Sequence, residues 1–254
     1  MSKWDPEKYL VFQQQRTQPA IDLAKRVADR KPDTIADIGC GPGNSTAVLK
    51  AVFPDASSVL GIDNSAEMIE RARKDHKGID FAVASAAELS GSYDLLFSNA
   101  CLQWIPDHEQ LIPQLMAHLT DGGALAVQIP MNQEEPLFRA IHAVVSDGKW
   151  GFSHSVSGQN KVLSPDSYFN ILSGCSTRFE MWETVYYHAL PSHEHLMQWV
   201  RETRLRPYLS VLEAPEQRSL EQEILDKARD SYPVMGSGEI ILRFRRFFFI
   251  ACKN

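Results

Sequence analysis

Three glycines at two-residue spacing stand between an apolar run and a polar one in the stretch TIADIGCGPGNST, residues 34–46. A strand that turns into a helix N-terminus gathers backbone N–H groups and the positive end of a helix dipole at one place. Gly39, Gly41 and Gly43 lack the side chains that would block a ligand from approaching that backbone. An acid, Asp63, follows twenty positions after Gly43, where a carboxylate can accept both hydroxyls of a ribose. The pattern predicts a nucleoside site.

The spacing of these glycines distinguishes two kinds of nucleoside site. Dinucleotide-binding proteins carry GxGxxG, in which the third glycine lets the helix pack beside a pyrophosphate. This chain has GxGxG instead, and it shows no basic or polar pair suited to hydride transfer. An NAD-dependent oxidoreductase is therefore disfavoured. The acids on both sides of the loop, Asp37 and Asp63, disfavour a tight turn without any ligand.

The elements that must position this loop follow from the periodicity of apolar residues. Strands are predicted at 35–38, 58–62, 79–83, 93–98, 124–129, 179–190 and 239–251. Helices are predicted at 44–53, 65–76, 108–119, 135–145, 192–212 and 216–231, and a further helix begins at Ser164-Pro165. The helices at 192–212 and 216–231 are expected to be broken by Pro207, Pro215 and Pro233. Ser65 and Ser164 are expected as N-caps. Asp121-Gly-Gly123 is expected as the stop signal of the 108–119 helix. Strands that alternate with helices indicate a parallel sheet covered on both faces, and the two helices before the last strand indicate an inserted cap.

The pattern Asp37-x-Gly39-x-Gly41-x-Gly43, with Asp63 behind it, resembles the class I S-adenosylmethionine-dependent methyltransferases. The resemblance covers about residues 34–131 and implies an α/β, Rossmann-like fold, with a seven-stranded mixed sheet whose last strand is antiparallel. We therefore expect four segments: N-terminal lid helices at 1–30, an S-adenosylmethionine-binding sheet domain at 31–190, a helical cap insertion at 191–238, and the final strand of the sheet domain at 239–254.

The same resemblance implies which residues hold S-adenosylmethionine, whose product is S-adenosylhomocysteine. Asp37 and the glycine loop would face the methionyl part and Asp63 the ribose, with Ser85 at the adenine edge, where many members carry an acid. The implied cofactor residues are Asp37, Gly39, Cys40, Gly41, Gly43, Asp63, Asn64, Met68, Ser85, Ala86 and Asn99.

Further motifs resemble those of one group within this superfamily, the trans-aconitate 2-methyltransferases. They are WDPxxYL from Trp4, RTxP from Arg16, GPGNST from Gly41, NAxLQWxPD from Asn99, YYH from Tyr186, PSH from Pro191 and LRP from Leu205. This resemblance spans nearly the whole chain and implies methyl transfer to one carboxylate of trans-aconitate, which gives a monomethyl ester. A malonyl thioester or another short polycarboxylate remains an alternative acceptor, and a cofactor-binding module without catalysis remains an alternative role.

A carboxylate acceptor is already ionised at neutral pH, since carboxyl pKa values lie near about 4. It needs no general base, and the chain shows no obvious nucleophile–base pair, so no catalytic residue is assigned. The protein must then align the reactants, exclude water and recognise carboxylates, for which the planar fork of arginine is suited. The candidate substrate-positioning residues are Arg16, Trp104, Tyr187, His188, Arg204, Arg206 and Arg243.

The net charge and one motif argue against other classes of function. The net charge of −6 argues against nucleic acid or an anionic membrane as a partner. Enzymes that methylate base nitrogens carry an Asn/Asp-Pro-Pro-aromatic loop after the fourth strand, where this chain has Ser98-Asn-Ala-Cys101. We expect a small polycarboxylate as the partner.

The cysteines and histidines give the remaining expectations. The chain has four cysteines that lie far apart in sequence: Cys40, Cys101, Cys175 and Cys252. This spacing is typical of free thiols in a reducing compartment. Because the first residues are polar and do not resemble a signal peptide, we expect the cytoplasm. No set of Cys and His has ligand spacing, and the side chains of His193 and His195 would point apart on a helix, so no metal is expected.

Overall fold

The computed structural model describes residues 13–152 and 162–253, with side chains described from Thr17 onward in the first range. Seven strands in these ranges form one sheet in the order β3-β2-β1-β4-β5-β7-β6. The strands are β1 (Thr34–Ile38), β2 (Ser58–Asp63), β3 (Asp80–Val83), β4 (Tyr93–Asn99), β5 (Leu119–Pro130), β6 (Arg178–Leu190) and β7 (Ile240–Cys252). Strands β1 to β5 pair in parallel, and β7 runs antiparallel to β5. The predicted Rossmann-like mixed sheet with an antiparallel last strand is confirmed.

Helices connect most of these strands. In the described part of the chain they are α1 (Gln13–Arg26), α2 (Asn44–Val52), α3 (Ala66–Asp75), α4 (His108–Ala117), α5 (Pro136–Val145), α6 (Pro165–Cys175), α7 (Glu194–Arg201), α8 (Arg206–Leu209) and α9 (Ala214–Arg229). The Ser65 hydroxyl accepts the Met68 N–H at 3.3 Å, and the Ser164 hydroxyl accepts the Ser167 N–H at 3.2 Å. These bonds satisfy donors that have no partner within the helix. Both predicted N-caps are confirmed.

The predicted 108–119 helix is too long, because α4 ends at Ala117 and β5 begins at Leu119. The predicted stop signal, residues 121–123, lies inside the strand. Leu119 pairs with Tyr93 on β4, and the register then shifts, so the glycines absorb a bulge in the ladder. Cross-strand pairing overrides the local signal here.

The predicted 192–212 helix is broken, as expected, into α7 and α8, and the break lies at residues 202–205, just before Pro207. Pro207 stands in the first turn of α8, where its missing N–H costs nothing, but the same residue could not continue α7.

The described residues fall into two compact units. The first, the sheet unit, lies within residues 16–130, 160–184 and 246–254, and its core is built from buried strand residues such as Leu96 on β4. The second, the cap unit, lies within 131–159 and 185–245 together with 13–15, and its core holds aromatic residues such as Trp199. None of the described helices is long and apolar enough to cross a membrane.

Candidate functional site

The loop between β1 and α2 is bent by three glycines, whose φ angles are +71° at Gly39, +54° at Gly41 and +91° at Gly43. Left-handed conformations of this kind strain residues that carry a Cβ. The Gly39 and Cys40 N–H groups both donate to the Ile62 carbonyl, at 2.8 and 2.9 Å. The loop is therefore fastened to the end of β2.

Each of these glycines is required for a different reason. A Cβ at Gly39 would lie 2.1 Å from Cys101 Sγ, and one at Gly43 would lie 2.7 Å from the His76 ring. Neighbouring side chains thus close both positions. A Cβ at Gly41 would meet no protein atom within 4 Å. Of the three glycines that the sequence pattern linked to ligand approach, Gly41 is the one that faces open space.

The Asp63 carboxylate links the glycine loop to the start of α3. Its Oδ2 atom accepts the Gly41 N–H at 2.9 Å, and its Oδ1 atom accepts the Ser65 N–H at 2.9 Å. Each carboxylate oxygen has a second lone pair for a further donor. Because Asp63 is only half-buried, the carboxylate can receive two more hydroxyl groups from outside the protein.

Asp37 is fully buried beneath the same loop. Its Oδ2 atom accepts the hydroxyls of Ser45 and Thr46 at 2.6 and 2.7 Å, both from the first turn of α2. Burial raises the pKa of Asp37 to about 6, although the two hydroxyls act in the opposite direction. Its Oδ1 atom has no hydrogen-bond partner among the described residues. A buried acceptor without a donor is costly, so a cationic donor would be favoured at this oxygen.

The residues expected around an adenine follow β2 and β3. Asn64 is exposed, and Met68 is half-buried in the first turn of α3. Ser85 caps a short 3-10 helix that begins at Ala86, and its N–H and hydroxyl donate to the Glu88 carboxylate at 2.9 and 2.8 Å. These bonds lower the pKa of Glu88. They also leave the Ser85 oxygen as a hydrogen-bond acceptor, because its own proton is already used.

Strand β4 ends at Asn99, whose Oδ1 atom is buried and has no partner in the described part of the chain. Ala100 follows with a φ angle of +54° and turns the chain so that Cys101 packs against Gly39. Burial raises the pKa of Cys101 to about 12, which keeps this thiol neutral. The Trp104 side chain is 51% exposed.

The expected cofactor residues, from Asp37 to Asn99, thus all lie in the sheet unit, at or just after the carboxyl ends of β1 to β4. Trp104 belongs to the same unit. The backbone of Arg16 lies in α1, but its side chain is outside the described residues.

The other acceptor candidates lie in the cap unit. Tyr187 and Arg243 are both exposed, and the guanidinium carbon lies 6.0 Å from the centre of the tyrosine ring. Arg206 is exposed and Arg204 is half-buried. His188 is buried, and its ring stacks on Trp199 with the ring centres 4.7 Å apart. The structure therefore brings Tyr187 and Arg243 together and packs His188 among aromatic rings.

Known proteins resemble this chain along its whole length. A methyltransferase domain family matches residues 35–123. The trans-aconitate 2-methyltransferase of Methylobacterium radiotolerans is 40% identical over 260 residues, which cover 100% of this chain and 99% of that protein. The chain belongs to the trans-aconitate 2-methyltransferase family. The family member from Escherichia coli O157:H7 is 38% identical over 256 residues and 100% of both chains.

Solved structures share the fold at lower identity. The YcgJ protein from Bacillus subtilis aligns with a TM-score of 0.62 at 14% identity, over 93% of this chain and 99% of that chain. The plantazolicin methyltransferase BpumL in complex with S-adenosylhomocysteine aligns with a TM-score of 0.52 at 16% identity, over 100% of this chain and 91% of that chain. At such identities the likeness shows the fold that this member of the trans-aconitate 2-methyltransferase family adopts.

Two of the buried polar residues of this family member, Gln128 on β5 and Arg246 on β7, have no role in the sequence-based expectations. Both lie in the sheet unit, and Arg246 Nη1 donates to Gln128 Oε1 at 3.4 Å. Arg243, the candidate from this strand, is exposed, whereas Arg246 has the parity of the buried Phe244. A charged residue at a core position of a strand is the signal that could have found it.

Proposed function

We propose that this chain is an S-adenosylmethionine-dependent O-methyltransferase that converts one carboxylate of trans-aconitate into a methyl ester. The observation that carries the proposal is the 40% identity with the M. radiotolerans enzyme, over 100% of this chain and 99% of that protein. This identity includes the cap unit, and so it extends beyond the sheet fold that hosts many different functions.

S-adenosylmethionine supplies a methyl group bonded to a positively charged sulfonium. The buried Oδ1 atoms of Asp37 and Asn99, which have no described donor, suit the ammonium group of its methionyl part. Asp63 suits the two ribose hydroxyls, because each of its oxygens accepts one N–H and retains a lone pair. The open side of Gly41 leaves room for the ligand between these groups.

For the adenine we propose Asn64 and Met68 at the faces, and Ser85 and Ala86 at the edge. Many members of the superfamily bind the adenine amino group with an acid at the Ser85 position. Here the Glu88 carboxylate takes the Ser85 proton, so the Ser85 oxygen can accept from that amino group in place of the acid.

In this reaction the side chains need only position the two reactants. A carboxylate acceptor is ionised at neutral pH and needs no base. Alignment of the attacking oxygen with the methyl carbon and exclusion of water then supply the catalysis, and we assign Trp104 to the wall that excludes water. Because the Cys101 thiol stays neutral, it is a poor competitor for the methyl group.

Recognition of a polycarboxylate requires cationic groups in a chain whose net charge is −6. We propose Arg16, Arg204, Arg206 and Arg243 as acceptor-positioning residues, with Tyr187 beside Arg243. His188 is instead assigned to packing against Trp199. We also propose four segments by role: a lid at 1–30, a cap at 191–238, and the sheet segments 31–190 and 239–254.

The state of the cysteines supports a proposed location. All four are free thiols in the structure. Free thiols persist in a reducing compartment, and we propose the cytoplasm.

A panel assay tests the proposed function. Labelled methyl donor is incubated with trans-aconitate, cis-aconitate, citrate, isocitrate or a malonyl thioester, and base-labile label is counted. We expect the highest kcat/KM with trans-aconitate. A higher value with another acid would replace the acceptor, and S-adenosylhomocysteine binding without any labelled product would leave a binding module.

A further inference from the structure

A pair of polar residues lies on the sheet face that carries the cofactor groups. Gln128 pairs with Asn99 on β4, and Arg246 pairs with Pro130, two residues beyond Gln128 on β5. Paired residues, and residues two apart on one strand, project from the same face of a sheet. Gln128, Arg246 and Asn99 therefore share one face.

Asp37 belongs to that face as well. It pairs with Phe97 on β4, and Phe97 stands two residues before Asn99. From β1 to β7 the face thus carries first the carboxylate of Asp37 and the amide of Asn99, and then the amide of Gln128 and the guanidinium of Arg246.

Gln128 and Arg246 are unusual because both are polar and almost completely buried. Gln128 is 0% exposed and Arg246 is 5% exposed. The Arg246 Nη1 group donates to Gln128 Oε1 at 3.4 Å, which fixes the orientation of the amide. The Gln128 Nε2 group then remains as a buried donor with no partner in the residues that the structure describes. Such a donor is costly unless a ligand supplies an acceptor.

The chemistry of this donor set selects an anion. A guanidinium offers only donors, and so does the nitrogen of an amide whose oxygen is already bonded. The planar fork of arginine matches the two oxygens of a carboxylate. On β1 and β4, by contrast, the unpartnered atoms are the acceptors Asp37 Oδ1 and Asn99 Oδ1, which suit a cation.

We propose that Gln128 and Arg246 form the subsite that binds a carboxylate of the methyl acceptor, an inference that rests on the proposed function. The cationic methyl donor then lies over β1 and β4, and the anionic acceptor lies over β5 and β7. The pair positions the acceptor through its ground-state contacts, so its loss acts mainly on the acceptor KM.

The test compares Arg246→Lys, Gln128→Leu and Gln128→Glu with the parent. Lysine keeps the charge but loses the fork, leucine removes the amide donor, and glutamate places a negative charge beside the incoming carboxylate. We expect each variant to raise the KM for trans-aconitate at least about tenfold, as for the loss of a hydrogen bond to a charged group. The affinity for S-adenosylhomocysteine should stay within about twofold, because the pair lies outside the cofactor residues.

Arg218→Gln is the matched control, since Arg218 is exposed on α9 and its loss changes the net charge without touching the proposed subsite. Retained S-adenosylhomocysteine binding shows that a variant is folded, and the two Gln128 variants test the proposal if Arg246→Lys does not fold. An unchanged acceptor KM in a folded variant would overturn the subsite while the proposed function stands.

If the parent methylates no carboxylic acid, the proposed function falls, and the subsite is then judged by binding. Calorimetric titration of trans-aconitate in the presence of S-adenosylhomocysteine should show binding by the parent that is lost in the three variants. Equal affinity in parent and variants, or no binding by the parent, would overturn the subsite too.

Discussion

The Oδ2 atom of Asp63 lies 2.9 Å from the backbone nitrogen of Gly41. This hydrogen bond joins the last residue of β2 to the one glycine of the loop whose Cα faces open space. The proposed ribose acid and the proposed methionyl loop therefore form one bonded unit, and a change at either residue should be felt at the other.

Replacement of Asp63 by alanine should weaken S-adenosylhomocysteine binding by about tenfold to a hundredfold, because bonds to a charged group contribute about 1.5–3 kcal/mol. Isothermal titration calorimetry measures this change. Asp80→Ala is the control, since Asp80 stands at the other end of the neighbouring β3. Equal affinity in Asp63→Ala and the parent would remove the ribose assignment.

Asp37 should make the stability depend on pH. Its pKa is raised from 3.8 to about 6 in the folded protein, so the folded state holds this proton more tightly than the unfolded chain does. As pH rises from about 4 to about 6, the contribution of Asp37 to the free energy of unfolding should fall by roughly 3 kcal/mol, at about 1.4 kcal/mol per pKa unit. Urea unfolding of Asp37→Asn and the parent at several pH values isolates this contribution, and a constant difference between them would contradict it.

Binding of an ammonium group at Asp37 should offset the loss of stability that ionisation of this buried carboxyl causes. A bound cation favours the ionised carboxylate, so S-adenosylhomocysteine should bind more tightly as pH rises through about 6 and should release a proton below that value. Calorimetry in buffers with different ionisation enthalpies measures the release. Asp37→Asn should show no proton release from this source, and identical release in parent and variant would separate Asp37 from the ligand.

Gly39 and Gly41 should respond differently to alanine. Gly39→Ala should cost more stability than Gly41→Ala, because a clash with Cys101 adds overpacking of about 1–3 kcal/mol to the strain of a positive φ angle. Gly41→Ala should cost only that strain, about 1–2 kcal/mol, but should lower the affinity for S-adenosylhomocysteine because its methyl group enters the open space. Gly122→Ala is the control, with a φ angle of +75° and open space elsewhere in the fold. Equal ligand affinity in Gly41→Ala and Gly122→Ala would refute this difference.

A buried histidine should anchor the loop that carries Trp104. His108 Nε2 bonds the Leu102 carbonyl at 2.8 Å and therefore carries the proton, so Nδ1 accepts from the Tyr168 hydroxyl at 2.7 Å. Tyr168→Phe leaves that buried acceptor without its donor and should cost about 1–3 kcal/mol in urea unfolding. Tyr93→Phe, which removes the bond to the Ser90 carbonyl at an exposed site, should cost less. Equal losses in the free energy of unfolding for the two variants would show that the buried hydrogen bond contributes no more than the exposed one.

Local signals made much of the fold predictable. The side chains of Ser65 and Ser164 cap helices through bonds to residues three positions away, so the sequence around each serine is enough to place the helix start. The glycine loop was recognised for the same reason, because GxGxG directly follows an apolar strand. The end of α4 was not predictable in this way, since it depends on how Leu119 pairs with Tyr93 on another strand.

The site was harder to predict wherever distant residues decide it. Gly39 needs its missing side chain because of Cys101, which is far away in sequence. Likewise, the contact between Gln128 and Arg246 requires the register between β5 and β7. Alternation along one strand identifies which residues share a face, but it does not tell which of two faces meets the ligand.

The most direct measurement follows the methyl group itself. The parent is incubated with S-adenosylmethionine carrying an isotope-labelled methyl group and with trans-aconitate, and the label is observed by NMR. A labelled methyl ester of trans-aconitate that disappears on mild alkaline hydrolysis is the predicted result. Label that remains on the donor, in a sample whose protein binds S-adenosylhomocysteine, would contradict carboxylate methylation by this chain.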